Sequence, residues 1–168
     1  QRQMCIETDQ ILWCGLLLGK GIGAKESPYE FKLAFRRINE LFIAEAKKYD
    51  VGKQLKKEVS EISLEAVNKV NEAINPDELF TSRTQYTLTK EQVNAAIQAL
   101  PIPKEAGVGM VFIAEFLNKA ASRGTYQVVF FDTDTKEIIE EWSTDGKAGG
   151  FGLRNYWAGS IHNAIKHL

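Results

Sequence analysis

Scarcity is the first useful property of this chain of 168 residues. It has only two cysteines and two histidines, and its lysines and arginines (21) nearly cancel its aspartates and glutamates (22). Two cysteines cannot build the disulfide framework of a small secreted scaffold, and no Cys-x-x-Cys pair occurs for zinc. Two histidines five residues apart, His162 and His167, do not share a helix face, and no His-Glu-x-x-His motif is present, so no metal is expected. A net charge of −1 gives no electrostatic footprint for nucleic acid or for an anionic membrane. The basic residues Lys47, Lys48, Lys53, Lys56 and Lys57 are diluted by Glu45, Asp50 and Glu58 and read as solvated helix faces and ends. The longest apolar run, Ile11 to Leu18, falls far short of the ~20 residues of a spanning helix, so no membrane span is expected.

What is present is an ordinary globular composition, 44% hydrophobic and 26% charged. Residues 1–168 read as a single domain, and a chain of this length buries roughly two-thirds of its unfolded surface without help from a metal. The chain begins at Gln1 rather than methionine, as after removal of a signal peptide, and a periplasmic or secreted location is the expectation.

The C-terminal third is the most informative. Residues 110–118 (MVFIAEFLN) and 126–131 (YQVVFF) are apolar on both faces, as strands covered on both sides are. The link 119–125 suits a hairpin, 132–136 (DTDTK) a tight polar turn, and the weaker alternation of 137–143 an edge strand. After the glycine-rich segment 146–152 (GKAGGFG), apolar residues recur at helical spacing from Leu153 to Leu168.

Upstream, Ser27-Pro28-Tyr29-Glu30 is a capping box with proline in the first turn. The stripe Phe31, Phe35, Ile38, Phe42 then predicts a helix over 28–50. Leu55, Val59, Ile62, Ala66, Val70 and Ile74 predict a second over 54–74, ended by Pro76. The Thr-rich segment 81–88 reads as a strand, and Thr89 to Gln92 opens a helix over 90–100. The segment 19–25 (GKGIGAK) reads as a flexible connector; its glycines lack the spacing of a dinucleotide fingerprint, and no cofactor is expected. The expected fold is α+β, or mixed α/β. A sheet of four to six strands ends in a C-terminal hairpin or meander and is packed by helices 28–50, 54–74, 90–100 and 154–167.

A hairpin of residues 3–8 with 11–16, turning at Asp9-Gln10, would set Cys5 opposite Cys14, a candidate disulfide; two free buried thiols are the alternative. The run 128–135 (VVFFDTDT) resembles the nucleophile motif of haloacid-dehalogenase phosphatases, which implies attack on phosphate by Asp132 with Asp134 as acid and base. It departs from that motif at Lys136, and too little chain follows for the rest of such a fold. A local turn is the plainer account. Glu140 and Glu141 fall on opposite strand faces, and Ser160 near His162 does not form a nucleophile elbow, so no catalytic residue is assigned.

The expected binding region is the glycine loop and the start of the last helix: Lys147, Gly149, Gly150, Phe151, Arg154, Asn155, Tyr156 and Trp157. Backbone N–H groups before a helix, two cations and three aromatics suit an anion, a sugar or a peptide. The same residues suit a core beneath a helix. Residues 124–139 (GTYQVVFFDTDTKEII) and 146–161 (GKAGGFGLRNYWAGSI) resemble an uncharacterised family of secreted or periplasmic proteins of Bacteroidetes-type bacteria, with the likeness running over residues 107–168. That resemblance implies export and an α+β domain and assigns no functional residue. By topology analogy the element order is similar to periplasmic domains of envelope secretion and assembly proteins. The expectation is therefore an exported, non-enzymatic domain that binds a protein or small-molecule partner in the envelope near GKAGGFG. The alternatives are a small phosphate-directed hydrolase using Asp132 and Asp134, or a structural component of envelope assembly.

Overall fold

A computed structural model describes residues 6–23 and 25–168. The chain runs β1 (Gln10–Leu17), β2 (Lys20–Ile22), α1 (Pro28–Ala44), α2 (Val51–Leu55), β3 (Glu58–Ile62), α3 (Glu65–Ala73), α4 (Lys90–Gln98), β4 (Val108–Asn118), β5 (Arg123–Asp132), β6 (Ile138–Lys147) and α5 (Leu153–Lys166). Six strands form one mixed sheet in the order β3-β1-β4-β5-β6, with β2 continuing β1 along the same edge of β4. The first three strands on that path are parallel, and β4, β5 and β6 are an antiparallel meander. This is the expected α+β architecture.

One face of the sheet is covered by α1, α3 and α5, with α3 on β1 and α5 on β5 and β6. The Ser27 hydroxyl accepts from Glu30 N and starts α1, whose Phe31, Phe35, Ile38 and Phe42 are fully buried. Each such side chain contributes about 1.5–3 kcal/mol of burial. Trp13 of β1 joins this layer, 5.3 Å from both Phe42 and Phe112 by ring centroid. The opposite face carries α4 and its flanks: Gln92 and Ala96 share a groove with Leu17 and Ile113. Glu115, buried at a bulge in β4, accepts from Leu88 N at 2.8 Å and from Gln127 Nε2 at 3.1 Å.

Five sequence expectations need correction. The helix expected over 28–50 stops at Ala44, and turns lead to α2, which Asp50 caps by accepting from Lys53 N. The helix expected over 54–74 is broken by an edge strand. Lys56 adopts φ 57°, Lys57 N closes the end of α2 on Gly52 O, and Glu58–Ile62 then pairs with β1. The segment 81–88 forms no strand; an isolated bridge between Gly21 and Phe80 lies beside it. The connector 19–25 contributes β2, held on β4 from Phe116 to Asn118. The proposed hairpin at Asp9-Gln10 is also not formed, because β1 has β3 on one side and β4 on the other.

β3 ends opposite Trp13, so Leu16 and Leu18 have no strand on that side. Two buried asparagines take its place. Asn39 of α1 accepts from Leu16 N at 2.8 Å and donates to Leu16 O at 3.1 Å. Asn71 of α3 donates to the same carbonyl at 3.0 Å and accepts from Leu18 N at 2.8 Å. The sheet register shifts here, between Trp13 and Leu16, and Gly15 makes the kink at φ 85°. A Cβ at Gly15 would lie 2.6 Å from Asn39 Oδ1, so glycine serves both the backbone angle and the contact.

Candidate functional site

The glycine-rich segment is first of all the seat of α5. Gly146 pairs with Gly124 near the end of β6, and a Cβ on it would stand 1.9 Å from Ser160 O and 2.6 Å from Ala164 N. Helix backbone therefore rests directly on strand backbone. Ser160 Oγ donates to Gly146 O at 2.8 Å and meets Tyr126 OH at 2.8 Å. Thr144 Oγ1 donates to Ala164 O at 3.0 Å, and Asn163 Nδ2 to Lys147 O at 2.9 Å. The loop is fastened before Phe151 by Ala148 N to Ser122 O at 2.7 Å and Gly149 N to Tyr156 O at 3.2 Å, and after it by Gly152 O, which accepts from Tyr156 N at 2.9 Å.

The eight residues singled out from the sequence separate into two groups. Gly149, Gly150 and Trp157 are structural. Gly149 O lies where a Cβ on Gly159 would fall, Gly150 packs on Asn155 O at φ 128°, and Trp157 is buried in the core. Tyr156, half-buried, meets Trp157 edge-on at 5.0 Å and carries Lys119 Nζ 3.6 Å from its ring centre. Lys147, Phe151, Arg154 and Asn155 are exposed. Phe151 is 95% exposed, on a loop whose neighbours are held.

Phe151, Arg154 and Asn155 line a cleft of about 370 Å³ whose other wall is α1, with Glu30, Leu33 and Arg37. α5 begins at Gly152 with no side-chain cap and no acidic residue in its first turn. A second cleft of about 320 Å³ lies between α1 and α3, lined by Tyr29, Lys32, Leu33, Arg36 and Glu72 among others. Leu33 is common to both. The α1 side of this surface was not picked out from the sequence. Its signal was Leu33, an apolar residue off the buried stripe of its helix.

The other candidate chemistry resolves into local structure. Asp132 Oδ1 accepts from Asp134 N at 2.8 Å and Thr135 N at 3.0 Å. Those bonds, Thr135's first, hold its carboxyl below the usual carboxylate range and tie it to the turn. His162 meets Tyr49 edge-on at 5.8 Å, while His167 Nδ1 lies 2.9 Å from Asp145 O, so the two imidazoles diverge. Burial, then Lys166 and Lys48, holds His162 below its ordinary value. A further cleft of about 630 Å³ beside β1 and β3 is lined by Glu61, Glu65 and Glu105 without a lysine or arginine.

Cys5 lies outside the described residues, and with it the candidate disulfide. Cys14 is a buried free thiol whose Sγ donates to Leu12 O at 3.6 Å. Burial pushes it from 9.0 up to about 12, opposed by a backbone bond from Met110 and aided by Glu61. In the unfolded chain this thiol ionises first, so its contribution is complete below about 9 and is lost as pH rises towards about 12. Urea midpoints of a Cys5→Ser variant should fall over that window, by at most about 1.4 kcal/mol per pH unit for one group. Cys14→Val in the same background should flatten the fall; an unchanged slope would refute the assignment.

Among the described residues no helix is long and apolar enough to cross a membrane. Comparison of the chain with protein-family models, with curated proteins and with solved structures found no match.

Proposed function

We propose that this chain is an exported, non-enzymatic domain that binds a protein partner on the surface formed by Phe151, Leu33 and Tyr29. The observation that carries the reading is Phe151. A phenylalanine 95% exposed would gain about 2 kcal/mol if a partner covered it. Its loop is fastened at Ala148 and Gly149 on one side and at Gly152 on the other, so little ordering entropy opposes that gain. Leu33 and Tyr29, 36% and 74% exposed, extend the apolar surface along α1. Aromatic side chains beside arginines are enriched at interface centres. Asp132, the alternative nucleophile, is engaged by its own turn, which favours binding over hydrolysis. Export is proposed on the resemblance of residues 107–168 to exported proteins.

A random peptide library displayed on phage and selected on the wild-type protein tests the surface. Phe151→Ser removes the anchor with a stability change within about 0.5 kcal/mol, because the side chain packs on little. Enriched peptides should lose binding to Phe151→Ser and to Leu33→Ser. Peptides that bind both variants as well as wild type would place the docking surface elsewhere and end this reading.

A further inference from the structure

Resting on that docking surface, we infer that its partner presents an acidic segment carrying an aromatic or large aliphatic side chain. The charge around the two clefts points this way. Lys32, Arg36, Arg37 and Arg154 line them against only Glu30 and Glu72, on a chain whose overall charge is −1. Both acids are already engaged. Glu72 pairs with Arg36, and Glu30 accepts from Ser27 Oγ at the cap of α1. Arg37 and Arg154 face the cleft that holds Phe151, and among the described residues neither has a carboxylate partner. By contrast Arg36, Lys69 and Arg123 are all paired.

Two guanidiniums without a carboxylate, Arg37 and Arg154, the latter giving only its Nε to Asn155 Oδ1 at 3.2 Å, form a mixed site beside an exposed phenylalanine. A carboxylate can bridge the arginines while an adjacent apolar side chain covers Phe151 and Leu33. The bare start of α5 adds positive potential to the same cleft. Because Leu33 belongs to both clefts, a segment crossing α1 over it would meet Tyr29 and Lys32 on the far side. A basic segment would meet repulsion at both ends, and an uncharged one would leave both guanidiniums without a carboxylate.

The test is fluorescence anisotropy of the full chain with a labelled peptide of glutamates flanking two phenylalanines, against the same peptide with lysines for glutamates. The acidic peptide should bind and weaken with added salt, and the lysine peptide should not bind. Arg37→Glu with Arg154→Glu should weaken binding by at least about tenfold. Both positions are exposed, and glutamate in the first turn of α5 favours the helix, so loss of folding does not confound the result.

Lysine-peptide binding equal to the acidic one, or no acidic-peptide binding, overturns the inference. So does an unchanged affinity after charge reversal; if Phe151→Ser still abolishes binding in that case, the apolar docking surface survives without its charge preference. If neither substitution matters, both readings fall. A dimer in sedimentation equilibrium that Phe151→Ser dissolves would assign the surface to a second copy of the chain instead.

Discussion

Replacing Asn39 with alanine should cost about 3 kcal/mol, measured as a urea midpoint at constant m value. The substitution leaves Leu16 N–H buried without an acceptor and takes one of two donors from Leu16 O. An orphaned buried backbone group costs about 1–3 kcal/mol, and the vacated amide adds a small cavity. Asn71→Ala likewise orphans one N–H, that of Leu18, and takes the other donor from Leu16 O; it should cost somewhat less only because Asn71 is slightly more exposed, 7% against 0%. The two asparagines share the Leu16 carbonyl, so the double variant should lose more than the sum, by at least about 0.5 kcal/mol. A cost for Asn39→Ala under about 1 kcal/mol would show that β1 does not depend on these side chains in place of a strand.

Gly146→Ala and Gly149→Ala, three positions apart in one glycine-rich segment, should differ sharply. At Gly146 the new methyl meets the backbone of α5 at 1.9 Å, with no flexible side chain to give way. The helix must lift off β6, at a cost of about 3 kcal/mol or more. At Gly149 nothing lies within 4 Å of the new atom, so the change should stay within about 0.5 kcal/mol. Thermal melts read by near-ultraviolet circular dichroism report the packing of the buried aromatics, Trp157 of α5 among them. Equal losses at both positions would mean that loop conformation, rather than close approach of helix to strand, explains the glycines.

The C-terminal half was legible because its signals are local. Strands apolar on both faces, a polar turn and a helical stripe each stand within about a dozen residues, and β4 to α5 follow them closely. The caps at Ser27 and Thr89 were legible for the same reason. The segment 54–74 was not, because Leu55, Val59, Ile62 and Ala66 fit a helical stripe as well as they fit a turn, an edge strand and a helix. What decides is pairing of Glu58 to Ile62 with β1, a partner distant in sequence, together with the left-handed Lys56. Asn39 is a polar residue next to Ile38 in the buried stripe of α1. Its role depends on where β3 ends, which no local pattern states.

The binding region was legible as a neighbourhood and not residue by residue. Phe151 and Trp157 belong to one aromatic cluster in the sequence, yet one is almost fully exposed and the other is 1% exposed. The phase of α5 separates them: Trp157 shares the stripe of Ile161, Ala164 and Ile165, while Phe151 precedes the helix. The α1 wall of the cleft is far off in the chain, and only the packing of α1 on α5 brings Leu33 and Arg37 to it.

The strand order carries a consequence for how the chain is made. β1 comes first in synthesis, yet one of its flanking strands, β4, begins only at Val108. A nascent chain therefore holds its longest apolar run, Ile11 to Leu18, without its full complement of backbone partners until the residues from Val108 onward have been delivered. Loop closure over that span is slow, whereas the meander from β4 onward closes over short turns. The late-arriving end is thus the template, and the early end waits to be zipped onto it.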